Sequence, residues 1–264
     1  MRQTPIIFIS VLLGLASCNN ANHLTKESLT NTIYKLGYKT DSTSTGPLNN
    51  SAFILKLNDT LPTLLVTAHH IAAGTGNDQY LKWNEIEQKT NRWAWSMNDS
   101  TYNFKIGPNL PIRGAETLKL DLAAFYLPLD TAPYLKPARQ AASVGDTVYL
   151  YSKVTFNNKT TLRNQGVVIY ATDSVMVYEL TDFHGKVQGI LSGTSGSCVL
   201  NKDNHVVANN YGGLAIPNEE AKKQMAIGFP LINKLKIRDG KTYGIGIPIP
   251  LIQKSLIQAF KDNN

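Results

Sequence analysis

The chain has 264 residues, 42% of them hydrophobic and 17% charged, with a formal charge of +7 at neutral pH and 2 cysteines. That length and apolar content suffice to bury a core, and so few cysteines exclude a disulfide-stapled framework. The positive excess is modest, and its densest stretch (Lys222, Lys223, Lys234, Lys236, Arg238, Lys241) is interleaved with Glu219, Glu220 and Asp239, so it reads as a solvated face and gives no reason to expect nucleic acid as a partner.

Residues 1–4 carry Arg2 and precede an apolar run over 5–16 that is too short to span a bilayer, the pattern of a secretory signal. The run ends in Leu15-Ala16-Ser17-Cys18, small residues directly before a cysteine, and this resembles the lipobox of bacterial lipoproteins. The resemblance covers residues 1–18. It implies that 1–17 are a signal peptide, that Cys18 becomes the lipidated N-terminus, and that the exported chain is held to a membrane of the cell envelope. An ordinary signal peptide with a chance cysteine is the alternative. Loss of Arg2 with the signal leaves 7 − 1 = +6, and an acylated Cys18 leaves Cys198 with no intramolecular disulfide partner.

Residues 18–44 read as a polar tether and a short helix, the helix resting on the weak spacing of Leu24, Leu29, Ile33 and Leu36. Residues 41–50, rich in Ser, Thr, Gly and Asn, form a loop by composition. From Ser51 onward, short apolar or alternating runs recur between turn residues, at 52–57, 63–68, 120–127, 147–154, 166–171, 175–180, 198–200, 206–208 and 243–249. That rhythm predicts an all-β sandwich or barrel, because the intervening segments are too short or too polar to supply crossover helices. Thr172-Asp173-Ser174 marks a hairpin. The stretch 128–143, with Pro128, Pro133 and Pro137, is the natural connector between two halves, and 251–260 places Ile252, Leu256 and Phe260 on one face of a closing helix that follows Pro250. Trp83, Trp93 and Trp95 admit a carbohydrate-stacking surface, but a strand over 92–97 that buries alternate aromatics is the preferred reading.

Three segments carry chemistry. "LVTAHHIAAG" sets His69 and His70 side by side at a strand end, where neighbouring side chains face opposite ways, so at most one of them serves a reaction. "LKLDLAAFYL" surrounds Asp121 with apolar residues, and a carboxylate there needs a partner such as an imidazolium or several hydrogen bonds. "SGTSGSCVL" puts Ser195 between Gly193 and Gly196, glycines that let consecutive N–H groups converge on one oxyanion. Alone, each has a plain structural reading: a satisfied histidine, a strand-end cap, a polar turn. Metal chemistry is poorly served, since there is no HExxH or paired CxxC and the other histidines, His23, His184 and His205, stand far apart. No cofactor is expected.

Together, "VTAHH", "LDLAAF" and "GTSGS" occur in the order His, Asp, Ser across an all-β chain and resemble the chymotrypsin-like serine peptidases, in a bacterial form with a Ser-Gly-Ser nucleophile motif. The family patterns are Thr-Ala-Ala-His, Asp-Ile-Ala-Leu and Gly-Asp-Ser-Gly-Gly. The likeness runs from about residue 50 to the closing helix and aligns His70, not His69, with the catalytic histidine. It departs at Thr194, where an acid or amide is usual, at Ser197 in place of glycine, and at Cys198, where proline or alanine is frequent. An α/β-hydrolase elbow fails on the missing second glycine and on the order of the triad.

The resemblance implies two packed antiparallel β-barrels with a C-terminal helix: an N-terminal barrel over 45–130, a connector over 131–142, and a C-terminal barrel with its helix over 143–264. It implies His70, Asp121 and Ser195 as a triad, with the Gly193 and Ser195 amides as the oxyanion hole and a protein or peptide as substrate. Gly189 would floor the primary specificity pocket, flanked by Gln188 and Ile190, and Tyr211, Gly212 and Gly213 would pair with the substrate backbone. With no acid at 189, cleavage after Lys or Arg is not expected. The alternative is a lipoprotein that keeps the peptidase fold as a catalytically silent binding module.

Overall fold

In a computed structural model the protein is described over residues 29, 31–38, 50–73, 82–89, 92–97, 103–115, 120–127, 133–156, 159–181, 193–215, 220, 222, 223, 230–235, 237, 238 and 240–263. Strands β1 (Ile33–Tyr38), β2 (Ala52–Leu55), β3 (Leu64–Thr67), β4 (Arg92–Ser96), β5 (Asn103–Lys105), β6 (Asn109–Leu110) and β7 (Ala123–Tyr126) form one sheet in the order β5-β4-β1-β2-β3-β7-β6. Strands β8 (Thr147–Phe156), β9 (Lys159–Ala171), β10 (Met176–Leu180), β11 (Ser197–Leu200), β12 (Val206–Ala215) and β13 (Thr242–Pro248) close a barrel in the order β10-β13-β12-β11-β8-β9. Every pairing in both is antiparallel. Helices α1 (His69–Ala73) and α2 (Trp83–Lys89) belong to the first lobe, and α3 (Ile249–Asn263) ends the chain. This is the mainly-β, two-lobed chymotrypsin-like architecture, its first lobe a half-barrel and its second a closed barrel.

All nine apolar runs are strands. β2 and β3 are buried at every position, which is why they read as continuous apolar stretches rather than as alternation. The turn at 172–174 is the expected hairpin, closed by the Thr172 N–H on the Val175 carbonyl at 2.9 Å. One expectation is overturned. Leu29 is helical, but Ile33–Tyr38 is β1, lying between β2 and β4 with Ile33 opposite Phe53 and Lys35 opposite Trp95. The helical spacing was weak, and β-branched Ile33 and aromatic Tyr34 gain more by pairing on both sides and burying themselves than an isolated short helix could offer.

One apolar cluster runs through both lobes, from Phe53, Leu65 and Phe125 to Leu150, Val199 and Leu256. The connector is strapped to each lobe by parallel bridges, Leu55 with Leu135 and Pro137 with Val206. In α3, Pro250 sits in the first turn, where its fixed φ suits a helix start, and Ile252, Leu256 and Phe260 are buried. Phe260 meets Tyr126 of β7 edge-on at 6.1 Å, so the closing helix also touches the first lobe. Trp83 and Trp95 are buried and Trp93 is half-buried, so these aromatics serve packing rather than a sugar-stacking face.

Candidate active site

The two histidines do not lie on a strand. The chain leaves β3 at Thr67 and turns at once into α1, with the Ile71 and Ala72 N–H groups both donating to the Ala68 carbonyl. Successive helical residues diverge by about 100°, so the separation of roles expected for a strand end still follows, for a different geometric reason. His69 is buried, its ring edge-on to Trp83 at 4.9 Å. His70 is open to solvent, with its side chain 28% exposed.

Asp121 stands just before β7, in a tight turn where the Leu122 N–H donates to the Leu120 carbonyl at 2.7 Å. Its carboxylate holds His70 twice. Oδ1 accepts the His70 main-chain N–H at 2.8 Å, and Oδ2 lies 2.5 Å from the ring Nδ1. An ionised carboxylate only accepts, so in the neutral imidazole Nδ1 carries the proton and Nε2 has the lone pair. Nε2 has no hydrogen-bond partner among the described residues.

The segment of Ser195 is a turn entering β11. The Ser197 N–H donates to the Thr194 carbonyl at 3.0 Å, and Gly196 sits in the left-handed region at φ 86°, the glycine-requiring third position of a type II turn. A Cβ on Gly196 would lie 2.0 Å from the Ser51 carbonyl oxygen and 2.2 Å from Thr67 Oγ1, so the turn is pressed against the segment that leads to His70. The Ser195 hydroxyl donates to the Tyr211 carbonyl at 3.2 Å, not to His70. Neither the Gly193 N–H nor the Ser195 N–H has an acceptor among the described residues.

The positions at which the chain departs from the family pattern have physical accounts. Thr194 is buried and neutral, its carbonyl and Oγ1 both accepting from Asn210 Nδ2 at 3.1 Å, while Asn210 Oδ1 accepts the Tyr178 hydroxyl at 2.8 Å. A chain of uncharged groups therefore holds the turn where the family uses an acid or amide, and no buried charge needs compensation. Ser197 is fully buried at the head of β11, with no partner for its hydroxyl among the described residues. Cys198 is wholly buried, and desolvation pushes its thiol far above the ordinary range, so it is no rival nucleophile.

Tyr211 is the extra residue of a bulge, since the β12–β13 register passes from Asn210 opposite Gly246 to Gly212 opposite Ile245. Burial, and next the nearby Asp121 charge, push its phenol up to about 12. β11 pairs with β12 only as far as Asn210, so from Tyr211 through Gly212 and Gly213 the strand has β13 on one side and no described strand on the other. Cys18 and Gly189 lie outside the described residues.

The geometry adds residues that the sequence reading missed: Ser51, Thr67, Ser152, Tyr178 and Asn210. A signal was present in "VVANNYGG", where two amides interrupt an apolar strand just as Asp121 does in "LKLDLAAFYL". Ser51 gave none, because it lies at the edge of a polar loop and becomes buried only when the lobes meet.

No protein-family model and no curated sequence matches the chain. Solved structures do. A serine-to-alanine mutant of Rv3671c from M. tuberculosis H37Rv, in an inactive form, is 12% identical with a TM-score of 0.50, covering 89% of this chain and 89% of that one. The serine endoprotease from Yersinia pestis is 14% identical with a TM-score of 0.51, covering 91% of this chain and 68% of that one. The Rv3671c protease, also in an inactive form, is 13% identical with a TM-score of 0.50, covering 90% and 93% respectively. The chain thus has the fold of bacterial chymotrypsin-like serine proteases.

Proposed function

We propose that the protein is a serine endopeptidase working through His70, Asp121 and Ser195, exported and held to the cell envelope by a lipid on Cys18. The observation that carries the enzymatic reading is the double hold of Asp121 on His70, which in the neutral ring puts the proton on Nδ1 and leaves Nε2 as the acceptor. In this mechanism Ser195 Oγ leaves the Tyr211 carbonyl by rotation about χ1, gives its proton to His70 Nε2 and attacks the substrate carbonyl carbon. The C=O π pair moves onto oxygen, which receives the Gly193 and Ser195 N–H groups, each worth on the order of 3 kcal/mol. Collapse of that intermediate breaks the C–N bond, passes the proton to the departing amine and leaves an acyl-enzyme. Water then attacks with His70 again taking the proton, and the second collapse breaks the C–Oγ bond, returns that proton to Ser195 and frees the acid. An extended peptide would add as a strand beside residues 211–213. The glycine at 189 supports cleavage after small, polar or apolar residues rather than after Lys or Arg.

The second reading, a peptidase fold that binds without cleaving, is favoured by one observation: Ser195 Oγ is bonded to Tyr211 rather than to His70. A fluorophosphonate probe separates the two. Covalent labelling of the wild type, lost in Ser195→Ala, is the expected result, and a wild type that stays unlabelled while folded defeats the peptidase reading.

A further inference from the structure

Ser51 is fully buried ahead of β2, in the first lobe, and both its N–H and its hydroxyl reach across to the second. Its N–H donates to the Ser195 carbonyl at 2.9 Å, and its hydroxyl donates to the Gly193 carbonyl at 2.9 Å. Its own carbonyl accepts the Thr67 hydroxyl at 2.7 Å. Ser51 Oγ also lies 3.0 Å from Ser152 Oγ on β8. A hydroxyl has one proton and the Gly193 carbonyl can only accept, so Ser152 is the donor in that pair. Ser152 is itself buried, its carbonyl taking Asn164 Nδ2 from β9 at 3.3 Å.

In a trans peptide the N–H points opposite to the C=O, so fixing carbonyls fixes amides. Ser51 orients the peptide units that follow Gly193 and Ser195. On the far side the Gly196 N–H reaches the Asn210 carbonyl at 2.7 Å, consistent with that orientation. The unit between them has its Thr194 carbonyl held by the Ser197 N–H and by Asn210 Nδ2, so the Ser195 N–H points away from both, without an acceptor among the described residues. The direction of the Ser195 amide is therefore the outcome of a clamp built from both lobes, and Ser51 supplies the first lobe's half.

We infer that Ser51 is a positioning residue, its hydroxyl steadied by Ser152 and holding the Gly193 carbonyl so that the turn presents the Ser195 amide to the substrate oxygen. The inference rests on the peptidase reading above. It separates Ser51 from ordinary core polar residues, because the effect of losing the hydroxyl falls on the transition state rather than on substrate affinity.

The test compares wild type, Ser51→Ala, Ser51→Thr and Ser152→Ala for peptide hydrolysis, melting temperature and inhibition by a peptide aldehyde, whose hemiacetal oxygen occupies the oxyanion position. Ser51→Ala should lower kcat about tenfold at unchanged KM and weaken the aldehyde by the same factor. Ser51→Thr, which keeps the hydroxyl, should restore both, and Ser152→Ala should give a smaller loss of the same kind. Full kcat and full aldehyde affinity in folded Ser51→Ala overturn the inference while leaving the peptidase reading intact. Should Ser51→Ala fail to fold, Ser152→Ala decides, and unchanged kinetics there overturn it. A wild type that neither hydrolyses peptides nor takes a fluorophosphonate removes the peptidase reading and this role together.

Discussion

At the scale of single residues, the site turns on which atom of His70 carries the proton. Asp121 Oδ2 against Nδ1 fixes that tautomer, and Oδ1 on the main-chain N–H fixes the carboxylate itself. In Asp121→Asn the amide oxygen can still accept the main-chain N–H, but the amide nitrogen then donates to Nδ1 and moves the ring proton to Nε2. In the proposed mechanism His70 could then no longer take a proton from Ser195. The expected loss in kcat is on the order of 10⁴ with the fold intact, read from steady-state rates beside a thermal melt. Activity close to wild type in that variant would remove His70 from the role of base. The apolar run around Asp121 showed only that its carboxylate needs a partner or several hydrogen bonds, and its pairing with His70 was expected from the resemblance of the three motifs to the chymotrypsin-like peptidases. The present position of the Ser195 hydroxyl was not legible in the sequence, because a serine rotamer is decided by the nearest acceptor, here the Tyr211 carbonyl on a strand bulge.

At the scale of elements, ten strands were readable, the nine apolar runs and β4, because each carries enough apolar residues to show its own burial. β5 and β6 were not, being 3 and 2 residues long and shorter than any period. β1 was misread because its apolar spacing fits a helix locally, while its neighbours β2 and β4 lie far along the chain. The turn before β11 shows the same dependence on distant elements. Its support from the second lobe is the relay from Tyr178 on β10 through Asn210 on β12 to Thr194, and the Tyr178 ring lies over Gly244 of β13, where a Cβ would come within 2.1 Å of Cζ. Tyr178→Phe leaves Asn210 Oδ1 buried without its donor, at a cost of about 1–3 kcal/mol. A lowered denaturant midpoint with unchanged slope is the expected observation, joined by slower fluorophosphonate labelling as Thr194 loosens. An unaltered midpoint would mean that the relay contributes nothing to holding the turn.

At the scale of the whole molecule, the larger of two apolar clusters joins the lobes, and the strap through Leu135 and Pro137 and the contact of Phe260 with Tyr126 tie them from outside. Neither lobe alone contains the proposed site, since His70 and Asp121 come from the first and Ser195 from the second. A shared core also means that groups buried in either lobe titrate against one folding equilibrium. Burial raises the phenols of Tyr126, Tyr151, Tyr178, Tyr211 and Tyr243 above their ordinary value of 10.0, and the Cys198 thiol above 9.0. Each of these groups is neutral when protonated, and the folded state holds that proton more tightly than the unfolded chain. Their stabilising effect is therefore complete below the unfolded values and is lost as pH climbs through the folded ones. Lys35 works in the opposite sense, because burial and then Lys153 lower its pKa and the strain of its charge is relieved on the alkaline side. The raised groups outnumber it, and each contributes a slope of up to about 1.4 kcal/mol per pH unit between its unfolded and folded values. The melting temperature should hold level near neutrality and fall steeply from about pH 9 upward, and a Cys198→Ala variant that packs well should delay the onset. A melting temperature that stays level through pH 11 would show that the barrel's phenols and thiol reach solvent in the folded protein.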